Sequence, residues 1–217
     1  MVTLDSKSQE TTISEVEAYV TLSHCWGHGD PLKLTSLTSP SLAKGMPVSK
    51  LPQTFQVAII IARRLGLEFI WIDSLCIFQD SHEDWLHESS LMGKVYAQAL
   101  CNMRATDSAN GDGGCFSQRN PLLLDQMIIE SSWTNRNTKK FYLYATSGGM
   151  KNPLYSPLLS RGWIFQGYIL SRRFLHFEAQ QMGFECKESY VSEMYPERAP
   201  EGMLLFTDPL QKVEEPR

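Results

Sequence analysis

The chain has 217 residues, 42% of them hydrophobic and 11% aromatic, and a formal charge of −4. That length and apolar content suffice for one sizeable α/β domain, and the acidic balance argues against a dedicated nucleic-acid binder, which presents a basic face. No apolar run reaches the roughly 18–20 residues that cross a bilayer, and the start, MVTLDSKSQETTISE, lacks the regions of a signal peptide, so the expectation is a cytoplasmic protein with no membrane span.

Residues 1–17 are polar and read as a flexible segment. AYVTLSHCWG, residues 18–27, has the β-branched and aromatic content of a buried strand, which Gly27 ends. Residues 28–50 are rich in Ser, Pro and Gly and read as a long loop. LPQTFQVAIIIARRLG predicts a helix: Pro52 suits its first turn, Phe55, Ala58, Ile59, Ala62 and Leu65 share a face, and Gly66 is a natural stop. LEFIWID is nearly all apolar, as a central strand covered on both faces should be.

A helix is expected to begin near Asp80, with Asp80, Glu83 and Asp84 at the positive end of its dipole. Trp85, Met92, Tyr96 and Ala99 share one face, and Glu88 falls on that face, roughly 60° from Trp85. A carboxylate there needs a partner or lines a pocket, because desolvating it costs several kcal/mol. LCNMRAT predicts a third strand, and the alternation of strand and helix indicates a mainly parallel sheet flanked by helices.

After residue 106 the pattern becomes irregular. DSANGDGGCFSQRNP is a turn-rich loop without the order of a phosphate-binding loop. QMIIESS and KKFYLYAT read as a hairpin, LLSRGWIFQGYILSRR as a short helix, and FLHFEAQQMGFEC as two strands around a turn. The segment after Cys186 reads as a poorly structured tail. The five cysteines, an odd number without a CxxC pair, fit neither a disulfide framework nor a zinc ribbon.

Three blocks, YVTLSHCWG, then LPQTFQVAIIIARRLGLEFIWIDSLCIFQDSHEDWLHESSLMGKVYAQA, then LSRGWIFQGYILSRRFLHFEAQQMGFEC, resemble the fungal heterokaryon-incompatibility (HET) domain across about residues 18–186. The resemblance implies a protein of self/non-self recognition that triggers programmed cell death, acting with an unknown partner or by self-association. It also implies a fold distantly similar to the Toll/interleukin-receptor (TIR) domain, some members of which cleave NAD at the nicotinamide–ribose bond. NAD would then be a substrate, and no permanently bound cofactor and no metal is implied. Two positions depart from the family pattern: Gly167 stands where an acidic residue is usual, and Val57 replaces an aspartate.

By that comparison Glu88 is the candidate catalytic residue, since TIR glycohydrolases use a helix-borne glutamate near a tryptophan, here Trp85. A carboxylate can stabilise the oxocarbenium character that builds on the ribose. Asp73 and Ser23, at strand ends where ligands of parallel sheets gather, are candidates for ribose contact. Trp85 could stack on a flat ring, and Arg161 could hold a nucleotide phosphate. The structural alternatives are an ion pair between Glu88 and Arg161, a turn cap at Asp73 and a satisfied histidine at His24. In the second functional reading the domain is an inactive interaction module. In a third it is a cysteine hydrolase at Cys25, although His24 beside it on a strand points to the opposite face.

Overall fold

In the computed structural model, residues 2–3, 18–120, 124, 127–131, 139–143, 156–160 and 162–197 are described. The strands of the main sheet are β1 (Val2–Thr3), β2 (Tyr19–Ser23), β3 (Phe69–Ile72), β4 (Asn102–Ala105), β7 (Arg173–Phe177), β8 (Met182–Cys186) and β9 (Tyr190–Ser192). Their order is β1-β3-β2-β4-β7-β8-β9. The central four, β3, β2, β4 and β7, run parallel; β1, β8 and β9 join antiparallel at the flanks. A separate hairpin pairs β5 (Met127–Ser131) with β6 (Lys139–Leu143). The helices are α1 (Ser39–Ala43), α2 (Gln53–Arg64), α3 (Asp73–Cys76), α4 (His82–Gln98) and α5 (Gly162–Leu170). This is the α/β architecture expected from the alternation of elements. No helix among the described residues is long and apolar enough to cross a membrane.

The two sheet faces differ in chemistry. One packs Val20, Leu22, Ile70, Ile72, Met103, Ala105 and Phe177 against Phe55, Ala58, Ile59 and Ala62 of α2, burial that supplies the main apolar driving force. The other sets Tyr19 and Trp71 against Met92, Val95 and Tyr96 of α4, and α5 lies alongside α4. Helix α2 ends as its sequence predicts: Gly66 has φ +74°, Leu67 N–H donates to Ala62 and Gly66 N–H to Arg63, each at 3.0 Å, which is a Schellman motif. At its start the Thr54 amide donates to the Gly111 carbonyl at 2.9 Å, so the Gly-rich loop caps this helix.

Several details differ from expectation. Helix α4 starts at His82, two residues after the expected Asp80. Ser81 is its cap, accepting from the Asp84 amide at 3.2 Å, while Asp80 lies outside and accepts from the Ser36 amide at 2.9 Å. Asp73 opens the single turn α3 rather than closing β3, because its carboxylate takes the Ser74 amide at 2.8 Å. Val2 and Thr3 form an edge strand, and the sheet continues past Cys186 through β9. The remainder of residues 1–17 and residues 198–217 lie outside the described residues.

Candidate functional site

Chain direction fixes where Glu88 sits. Strand β3 leads through α3 into the start of α4, and the end of α4 leads into the start of β4, so the first half of α4 lies toward the carboxyl ends of the parallel strands. The far end is anchored by the buried hydroxyl of Tyr19, at the start of β2, which donates to the Val95 carbonyl at 2.7 Å. Burial raises the pKa of this hydroxyl to about 12, so it remains a donor at neutral pH. Glu88 is half-buried, in the second turn. Desolvation, with the like charge of Asp84 one turn earlier, pushes its carboxyl above the usual range. It forms no hydrogen bond or ion pair among the described residues. Trp85 is 37% exposed and stacks on His82, ring centroids 6.0 Å apart at 11°. Trp85 therefore lies at the rim of the buried face that Met92, Tyr96 and Ala99 share.

A second group gathers at the ends of β2 and β3. Asp73 accepts from the Trp26 indole at 3.3 Å as well as from Ser74, and the His24 Nδ1 lies 3.9 Å from the same carboxylate. His24 is buried and meets Phe55 edge to face at 4.8 Å, on the α2 side of the sheet. Ser23 points to the other side and is buried. Asp73 thus serves as the turn partner read from the sequence and stands at the strand ends. No hydrogen bond or ion pair among the described residues joins it to Glu88. Arg161 lies outside the described residues, as does the side chain of Trp163. Cys25 is buried with Leu158 and Ile164. Among the described residues no group of three or more His, Cys, Asp and Glu converges as metal ligands.

The sequence reading overlooked a polar floor beneath α5. Register sets Ser23 beside Arg104 and Arg104 beside His176, across three parallel strands. His176 is bonded to Glu185 at 2.8 Å within the sheet. Burial holds the His176 ring below its ordinary pKa despite that carboxylate, so the ring is neutral near pH 7. The Arg104 guanidinium, 5% exposed, lies over the rings of Tyr168 and Phe174, 5.1 and 5.7 Å from their centroids. Glu178, largely desolvated but near Arg104, titrates at about 7. One signal was available: in LCNMRAT polar Asn102 and Arg104 alternate with apolar neighbours, a pattern ordinarily read as a solvent face. Here α5 covers that face.

No curated protein matches the chain. No solved structure matches it either. The family model described as heterokaryon incompatibility protein (HET) matches residues 19–167, which takes in β2, α2, β3, α4, β4 and most of α5. Because that match spans well over half of the sequence, the chain belongs to the heterokaryon-incompatibility (HET) family.

Proposed function

We propose that this protein is a cytoplasmic effector of fungal self/non-self recognition that promotes programmed cell death by TIR-like cleavage of NAD. The observation that carries the reading is Glu88: a half-buried carboxylate toward the strand ends, raised in pKa, with no ion-pair partner among the described residues. A structural strut would have one.

In the proposed reaction the bond between nicotinamide nitrogen and ribose C1′ breaks, and nicotinamide leaves neutral with the bonding pair. Glu88 faces the cationic sugar so formed, stabilises it, and then takes the proton of the water that adds to C1′. Asp73 and Ser23 would accept from ribose hydroxyls, Trp85 would stack on a ring of the substrate, and Arg161 would hold a phosphate. NAD is consumed as a substrate.

The test is nicotinamide release from NAD by the purified chain beside Glu88→Gln, with thermal melting of both. Release by the parent and loss in a still-folded variant support the reading. Absence of release from a folded parent rejects it and favours the interaction module, in which this copy acts through a protein partner or by self-association. Gly167, a glycine where the family pattern carries an acid, is the observation on that side.

A further inference from the structure

Arg104 is a buried cation in the polar floor beneath α5. It projects from β4 near the carboxyl edge of the parallel strands, 5% exposed, and its guanidinium forms no hydrogen bond and no ion pair among the described residues. A buried guanidinium that leaves its donors unused is costly, by several kcal/mol. The carboxylates near it, Glu185 and Glu178, favour its charge through space but accept none of its donors. Glu185 is engaged by His176 at 2.8 Å, and Glu178 acts on Arg104 only through space. The guanidinium carbon lies over the rings of Tyr168, from the helix above, and Phe174, from the neighbouring strand, which are themselves stacked with centroids 5.3 Å apart, so both aromatics lie on one side of it. Its five N–H donors form a fork matched to two oxygens, and the rings take none of them in a hydrogen bond among the described residues. The floor around it is polar and under-satisfied: Asn102 Oδ1 and Thr21 Oγ1, side by side in register, are buried without partners among the described residues.

We propose that Arg104 anchors a buried oxyanion site beneath α5, taking a phosphate or carboxylate group on its guanidinium edge at the ends of β2, β4 and β7. A single arginine with Glu178 and Glu185 close by selects for low charge, so the group is a phosphate ester or one carboxylate of a small acid rather than a polyanion. The inference stands apart from NAD cleavage, since a catalytically inactive copy would keep the site.

The test follows the melting temperature of the full chain, for the parent, Arg104→Lys and Arg104→Met, with methyl phosphate or acetate added at constant ionic strength. A saturable rise in the parent is expected with one or both anions, and the probe that works identifies the class. Arg104→Lys keeps the charge but loses the fork, and is expected to need about tenfold more anion for the same shift. Arg104→Met is expected to lose the response. The proposal is overturned if neither anion moves the parent, or if the variants respond as the parent does, since the anion would then be bound elsewhere. Should Arg104→Met fail to fold, the Lys variant decides alone by the same criterion.

Discussion

A β-carbon on Gly167 would lie 3.1 Å from two ring atoms of Tyr96, so the absence of a side chain at this position lets α5 close onto α4. The same added carbon would come within 3.3 Å of the Asn102 amide nitrogen. A glycine in a helix costs about 1 kcal/mol in propensity; here the close approach offsets it.

Gly167→Ala therefore gains that propensity but presses on a Tyr96 ring that is itself buried against Trp71. Overpacking of this kind costs about 1–3 kcal/mol. The expected net is a loss of about 1 kcal/mol, read as a lower urea midpoint with an unchanged slope. A higher midpoint would show that α5 has room to spare.

Glu88→Gln is expected to leave the melting temperature at neutral pH unchanged or slightly raised. It removes a repulsion with Asp84 at i,i+4 spacing, a term of about 0.3 kcal/mol, and breaks no ion pair among the described residues. Nicotinamide release is expected to fall by at least about 100-fold. A drop of several degrees in melting temperature would instead assign Glu88 to the fold.

Glu178 links stability to pH. Its carboxyl rises from the ordinary 4.5 to about 7, through burial first and then through Asp107 and Glu185, with Arg104 opposing. The folded state therefore holds a proton that the unfolded chain releases. The associated stability is complete below about 4.5 and is lost as pH climbs through about 7. At 1.36 kcal/mol per unit the span is roughly 3 kcal/mol. Glu178→Gln should therefore be more stable than the parent at pH 8, by up to that amount, and nearly equal at pH 4.5. Chemical denaturation at both pH values checks it; an equal difference at the two would exclude the linkage.

Ser81→Ala is expected to cost about 1 kcal/mol, the usual loss for an N-cap hydroxyl. The effect should concentrate in the first turns of α4, because Asp84 both donates its amide to Ser81 and accepts from the Phe78 amide at 2.8 Å. Hydrogen exchange should accelerate at residues 84–88 before it does near Val95, where Tyr19 holds the helix. Uniform acceleration along α4 would contradict this.

The elements with strong local signals were legible in the sequence. The apolar run FIWI could only be a covered strand, and α2 carried its own start and stop in Pro52 and Gly66. The hairpin and the β7–β8 pair were legible from alternation. What escaped depends on neighbours distant in sequence. Three residues, Tyr190–Ser192, become a strand only because β8 is there to pair with. The turn partner at Asp73 was among the alternatives read from the sequence, and Asp73 does bind the amide beside it. Glu88 was found because a charge interrupted an apolar face, whereas Arg104 was missed because its neighbours alternate as a surface strand would. Only the placement of α5 turns that face inward.

The join between β4 and β7 has a consequence for how the chain reaches this state. The β7–β8–β9 meander pairs near neighbours in sequence, whereas β2 already meets β3 and β4 across long separations, Tyr19 with Phe69 and Thr21 with Asn102. Joining β4 to β7 requires closing the long stretch from Thr106 to Arg172, and loop closure of that length slows folding relative to local pairing. Arg104 and His176 face each other in register across this seam. The two halves can therefore assemble while both side chains are still hydrated, and the expensive step, stripping water from a charge, falls at the moment of docking. A solute that supplied oxygens to Arg104 would act then, as an aid to assembly, before it could act on anything else.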